Sequence, residues 1–299
     1  MQIAKVISTC FKRGRVREKT QLAGKPLGYF SHSQNFISVD DTIKLLNYQI
    51  EMEHEYPPGL NRDIIIVNSD VGSKDGNKFI KNLNNREING GKILSFDRKN
   101  FGLSYGAYND AFLKFKDYYD YFLFIEDDLI TVKKNYLKIG IDTFEKKPKT
   151  GFVAYIGVSK IPRSWWKISG LNKKNAFGAY SGCGLTSKKI LNEIYQKHGC
   201  IPHNTKDIDH INSIAFGEIA FSKSFLDLNY NLVELKDDIL VAPAYDLMRG
   251  ISYKKYPNLY EKIIWLIKSS IYSFFSISPK LLKIYLIFIK KIKKFMKLK

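Results

Sequence analysis

Along residues 1 to about 145, hydrophobic and polar positions alternate between two patterns. Short continuous apolar runs bounded by polar or turn residues read as buried strands, at residues 3–9, 63–67 (DIIIV), 92–96 and 121–125 (YFLFI). Between them, apolar residues recur at helical spacing. Asp40 or Asp41 caps a helix carrying Ile43, Leu46, Ile50 and Met52, a short helix covers residues 77–83, and a longer one covers 103–115. Strand and helix taking turns in this way predict a layered α/β domain with a mostly parallel sheet flanked by helices. Further on, GFVAYIGV (151–158) reads as a strand and residues 239–242 as the last one.

Two stretches between these elements are rich in turn formers. Residues 12–36 read as a long loop, and loops of that length in compact domains tend to be functional. NSDVGSKDG (68–76) reads as a turn dense in Asn, Asp, Ser and Gly.

Composition narrows the class. With 44% hydrophobic residues the chain can build a core, and 299 residues suit one large α/β domain or two smaller ones. Three cysteines, an odd number with no CxxC pair, suit a reducing compartment, and the start MQIAKVISTCFKRG lacks the apolar core of a secretion signal. The expected location is therefore cytoplasmic. A net charge of +19 then calls for an anionic partner.

That charge is unevenly spread. After residue 252, twelve lysines stand against one acid, Glu261, so the tail holds +11 and the rest of the chain +8. The lysines alternate with large apolar residues, and the longest uncharged stretch, residues 269–279, is far shorter than the roughly 20 residues that span a bilayer. From Lys280 on, helical spacing gathers Lys280, Lys283, Lys290, Lys291, Lys294 and Lys297 on one arc and leaves Leu281, Ile284, Phe288, Ile292, Phe295 and Met296 mostly on the other. Residues 251–299 thus read as a basic amphipathic helical tail lying on the anionic inner face of a membrane. Nucleic acid is not expected as a partner, because a nucleic-acid-binding arm would not be saturated with Ile, Leu and Phe. The body, residues 1–250, reads as one domain in two halves, 1–130 and 131–250.

The chemistry concentrates at Glu126-Asp127-Asp128, directly behind the apolar run YFLFI. Three adjacent carboxylates repel one another unless a cation sits among them. A hard divalent ion, Mn²⁺ or Mg²⁺, shared between carboxylates and substrate phosphate oxygens relieves that repulsion. Ligands of open α/β sheets bind at the carboxyl ends of the strands, where these residues stand.

With these features in place, the chain resembles the GT-A glycosyltransferases of the family 2 type, and its EDD cluster is also similar to that of N-acetylglucosaminyltransferase I. VISTCFKRG looks like the family's first strand, and VNSDVGSKDG resembles its V-D-D-G-S-x-D turn, lengthened by one or two residues. KNFGLSYGAYNDAF is similar to the N-x-G-x-x-x-A-x-N-x-G helix, and EDD stands at the D-x-D position. SGCGLTSKKILNEI looks like the glycine-rich segment beside the donor sugar, and GEIAFSKSFLDLNYNL resembles the E-D-x-x-L-x-x-R-L region.

The resemblance implies a Rossmann-like GT-A fold and a metal-dependent, inverting transfer from a nucleotide sugar, with uridine diphosphate the commonest carrier. It implies that Asp128 holds the metal and that Asp127 contacts the ribose or the metal shell. Thr9 and Asp70 would lie near the base, Asp97 and Arg98 near the nucleotide, and Asn100, Gly102 and Gly182 against the donor. The family's aspartate in E-D falls here on Ile219 and its arginine on Phe225, so Glu218 becomes the candidate base, with Asp207 and Asp209 as rivals. The acceptor would be a glycan or a lipid-linked sugar, in keeping with bacterial surface-polysaccharide or lipopolysaccharide synthesis.

Other features remain open from sequence. Trp165 and Trp166 suit either sugar stacking or packing. His198, Cys200, His203 and His210 match no standard zinc spacing. Arg249 suits a diphosphate clamp or a solvated surface. The competing functions are a nucleotidyltransferase on a related fold, for which TCFKRGR lacks a G-x-G-x-R loop, and a non-catalytic binding protein for anionic membranes or nucleic acid.

Overall fold

Seven strands build the main sheet: β1 (Ile3–Thr9), β2 (Asp63–Asp70), β3 (Gly91–Lys99), β4 (Tyr121–Glu126), β5 (Thr150–Ala154), β6 (Gly184–Ser187) and β7 (Asn231–Glu234). They lie in the order β7-β5-β6-β4-β1-β2-β3, and the short strand Glu87–Ile88 adds an antiparallel edge to β3. The chain sets β1, β2 and β3 side by side in parallel, then crosses back to lay β4 parallel against the other side of β1. Strand β6 runs antiparallel to both β4 and β5, and β7 is parallel to β5. This is the mostly parallel α/β architecture that the hydrophobic pattern predicts.

The computed structural model describes residues 1–11, 21–22, 25–26, 39–161, 163–173, 175–179, 182–203, 214–235 and 239–241. The chain divides into two units, Met1–Arg13 with Ser38–Val241, and Gly14–Ile37 with Ala242–Lys299. In the second unit the described residues form the antiparallel pair Gln21–Leu22 with Lys25–Pro26. Most of the long loop, the basic tail, Asp207, Asp209, His210 and Arg249 lie outside the described residues. Among the described residues, no helix is long and apolar enough to cross a membrane.

The centres of β1, β2 and β4 are largely apolar because both faces of the sheet are covered there. Ala4, Val6, Ile65 and Val67 face one side, where α3 (Leu103–Phe115, introduced here with α1, Val39–Glu55, and α2, Lys74–Leu83) contributes Ala107, Tyr108, Ala111 and Phe112. Ile7, Ile64 and Ile66 face the other, against Leu46 and Ile50 of α1 and Ile80 and Leu83 of α2. Period-two side-chain alternation assigns each residue of a strand to one of these two cores.

Several boundaries differ from the sequence expectation. Helix α1 begins at Val39, so Asp40 and Asp41 fall within its first turn instead of capping it, and GFVAYIGV divides into β5 and a separate strand, Val158–Lys160. Strand β2 continues through Asn68, Ser69 and Asp70, whose partners in β3 are Asp97, Arg98 and Lys99. Turn-forming residues here are held extended by the parallel ladder, with Asn68 and Ser69 both buried. Helix α2 starts at Lys74 rather than 77, because the Ser73 hydroxyl accepts a hydrogen bond from the Gly76 backbone at 3.2 Å and caps it.

One charged cluster lies inside the fold. Lys5 of β1 is fully buried on the α1 side, where its Nζ meets Glu53 Oε1 at 2.5 Å and Thr131 Oγ1 at 2.9 Å. Arg62 Nη2 binds Glu53 Oε2 at 2.6 Å, and the Tyr136 hydroxyl donates to Glu53 Oε1 at 2.8 Å. Gln49 donates to the Leu129 carbonyl. These bonds tie α1 to the chain that leaves β4, just past the three carboxylates.

Candidate active site

All the parallel strands present their carboxyl ends at one edge of the sheet. Thr9 is in register with Asn68, Asn68 with Asp97, and Ser8 with Glu126, so the polar strand ends form a row. Strand order reverses between β1 and β4, and a crevice at such a point is where open α/β sheets bind ligands. There, Thr9 Oγ1 donates to Asp127 Oδ2 at 2.6 Å, and the Asp127 backbone N–H donates to the Ser8 carbonyl at 3.1 Å. The Ser104 hydroxyl donates to Glu126 Oε1 at 2.6 Å, which brings the first turn of α3 to the same spot. Glu126, Asp127 and Asp128 are each half-buried.

Among the described residues, no group of three His, Cys, Asp or Glu side chains gathers as a metal cage. Hydroxyl donors hold Asp127 and Glu126, and Asp128 is the next residue along the chain. One or two hard carboxylates of this kind fit an ion shared with substrate oxygens, the way Mg²⁺ commonly binds beside phosphates, and do not fit an ion held by protein alone.

Farther along the row, Asn68 Nδ2 donates to Asp97 Oδ1 at 2.8 Å and to Asn77 Oδ1 at 3.0 Å, while Asn77 Nδ2 donates to Asp70 Oδ1 at 3.1 Å. The Gly72 amide and the Asn77 side chain hold the Asp70 carboxyl below its usual range. Asp70 and Asp97 are both exposed at this edge, joined by the two asparagines. Arg98, by contrast, is turned inward. Its Nε pairs with Asp110 at 2.6 Å, and its Nη1 and Nη2 donate to Ser69 and to the Phe101 carbonyl at 3.1 and 2.8 Å. Asn100 is half-buried, and its Oδ1 has no hydrogen-bond partner. Gly102 precedes α3 with φ +70°, a left-handed conformation that glycine adopts without penalty.

Because β6 is antiparallel, its start lies at this edge. Gly184 is in register with Phe124, which puts Gly182 and Cys183 near Glu126. Burial first, then the charges of Glu126 and Asp128, push the Cys183 thiol well up, so it stays protonated.

Glu218 is half-buried in a π-helical segment, Ile214–Ile219, that runs into the next helix, Ala220–Leu226. Such π turns are frequent at functional sites. The two positions where the family pattern breaks are packing positions: Ile219 is buried, and the Phe225 ring lies 5.2 Å from Phe152 and 5.0 Å from Phe221. A charged side chain at either would sit in the core. Trp165 is buried, and Trp166 donates its indole N–H to the Ile161 carbonyl at 2.9 Å.

Sequence reasoning missed Asn68, Asn77, Ser104 and Tyr105. The sequence places Asn68 in a turn and Asn77 at the start of a short helix, and Ser104 and Tyr105 fall within an ordinary helical pattern, so only neighbours from distant segments reveal them.

No family model matches the chain, and no curated protein sequence does. Among solved structures it is similar to a CMP:2-keto-3-deoxy-manno-octonic acid synthetase complexed with CTP, at 10% identity over 90% of this chain and 100% of that one, with a TM-score of 0.42. It is also similar to a cytidylyltransferase from Leptospira borgpetersenii serovar Hardjo-bovis, at 11% identity over 90% of this chain and 93% of that one, with a TM-score of 0.42. At that distance, neither protein's chemistry transfers to this chain.

Proposed function

We propose that the chain is a metal-dependent glycosyltransferase of the GT-A, family 2-like type that moves a sugar from a nucleoside-diphosphate donor to a glycan or lipid-linked acceptor. The observation that carries this reading is the Thr9–Asp127 hydrogen bond at the strand-order reversal, with Asp128 the next residue. Asp128 would hold Mn²⁺ or Mg²⁺, whose charge favours departure of the diphosphate. Asp127, locked by Thr9, faces the donor with a fixed carboxylate. Asp70 and Asp97 offer acceptors to the nucleoside, of which uridine is the one proposed. The amino end of α3, anchored by Ser104 on Glu126, adds a partial positive charge near the phosphates. Glu218 takes the proton of the acceptor hydroxyl, and a single displacement by that hydroxyl inverts the anomeric carbon.

A thermal-shift screen of nucleotide sugars with Mn²⁺, followed by assay of transfer or hydrolysis, tests the reading. Ligand at 100 times its Kd should add about 2.7 kcal/mol of stability. The reading fails if no nucleotide sugar stabilises the protein with any divalent metal. Release of pyrophosphate from a nucleoside triphosphate would instead assign nucleotidyl transfer.

The proposed location is the inner membrane face, reached through residues 251–299. Twelve lysines at about 1 kcal/mol each near an anionic surface, added to the apolar residues between them, are ample for peripheral binding. Truncation after Tyr253 should release the protein from vesicles containing anionic lipid while sparing activity on a soluble acceptor. Persistent vesicle binding would exclude the tail as the anchor.

A further inference from the structure

Tyr105 stands in the first turn of α3, is only 5% exposed, and its hydroxyl has no hydrogen-bond partner. A buried hydroxyl in that condition lowers stability, and phenylalanine would fill the same space without the cost. The ring is firmly held, with its centroid 5.7 Å from that of Tyr108 and 5.7 Å from that of Phe221. Two glycines make room for it. A Cβ on Gly182 would fall 2.6 Å from its Cε1 and 2.8 Å from its hydroxyl, and a Cβ on Gly217 would fall 2.7 Å from its Cδ2. Gly182 leads into Cys183 and β6 near Glu126, and Gly217 immediately precedes Glu218. The ring therefore separates the segment beside the carboxylate cluster from the turn that carries Glu218.

We propose that Tyr105 is a positioning residue for Glu218: its ring spaces the π-helical turn from the strand edge, and its hydroxyl donates to the Glu218 carboxylate once substrate is bound. This rests on the glycosyl-transfer reading with Glu218 as base. Burial first, then the charges of Glu218 and Glu126, keep the hydroxyl protonated far beyond its ordinary range, so it is a donor at any working pH. Both carboxylates raise the cost of ionising this hydroxyl, which places it within their field.

The test compares Tyr105→Phe and Tyr105→Leu with the full chain. Loss of a hydrogen bond to a charged group should lower kcat of Tyr105→Phe roughly tenfold or more, with KM for the nucleotide sugar within about twofold. Its thermal midpoint should stay the same or rise, which a merely structural tyrosine would not combine with lost turnover. Tyr105→Leu also removes the spacer, so its kcat should fall further while Mn²⁺-dependent stabilisation by the nucleotide sugar persists. An unchanged kcat in Tyr105→Phe overturns the inference and leaves the glycosyltransferase reading standing. A wild-type chain inactive with every nucleotide sugar removes both.

Discussion

Asp128→Ala should abolish Mn²⁺-dependent binding of the nucleotide sugar, by at least about 100-fold or roughly 2.8 kcal/mol, while the chain keeps its fold. The size follows from the donor set. No all-protein cage exists among the described residues, so an ion at this edge depends on very few carboxylates and on the substrate itself. The fold should survive because Asp128 lies past the end of β4 and removing one of three adjacent negative charges relieves repulsion. Metal-free binding of the nucleoside should change little, since Asp70 and Asp97 lie at the ends of different strands. Titration calorimetry with and without Mn²⁺ separates the two contributions, and an Asp128→Ala protein with wild-type affinity in Mn²⁺ would disprove the metal assignment.

The largest stability effect is expected at Glu53. This carboxylate is 2% exposed and is the shared partner of Lys5 and Arg62, so Glu53→Gln leaves two buried cations without their counter-charge. Breaking a buried pair in this way costs about 3–5 kcal/mol, a large share of the 5–15 kcal/mol that holds a typical domain. Activity should fall as well, because Lys5 of the same network holds Thr131, three residues past the carboxylate cluster.

The pH dependence has a definite sign. Burial alone would raise the Glu53 pKa, but the charges of Lys5 and Arg62 and the hydrogen bonds from Lys5 and Tyr136 outweigh it and hold the folded value below the ordinary one. A depressed folded pKa gives stability that is present above the unfolded pKa and lost as pH falls through the folded value. Wild type should therefore lose stability on acidification below the carboxylate range, and Glu53→Gln should show a shallower loss over the same interval. Urea midpoints measured across that interval decide it, and parallel curves would assign the acid sensitivity to other groups.

How much could be read in advance depended on the range of the forces involved. Strands β1, β2, β3 and β4 were legible because burial on both faces demands an unbroken apolar run, a signal contained within each segment. Helix α3 was legible to its ends for the same reason, its apolar spacing being local. Residues 68–70 were misread as a turn because Asn, Ser and Asp favour turns on their own, and only pairing with β3 keeps them extended. Glu126, Asp127 and Asp128 stood out because three carboxylates behind an apolar strand conflict locally. Asn68, Ser104 and Tyr105 did not, because each is ordinary until a neighbour from a distant segment arrives.

Local order along the chain thus specified the α/β class, the apolar centres of the strands and the presence of a carboxylate cluster, all properties that short-range burial and charge dictate. Which strands became neighbours was settled by long-range packing, and with it came the reversal between β1 and β4 that joins Thr9 to Asp127 across 118 positions. Lys5 shows the difference most plainly. In the sequence it is one lysine in an apolar run; in the fold it is buried against Glu53, because only a partner 48 residues away makes a charge tolerable there.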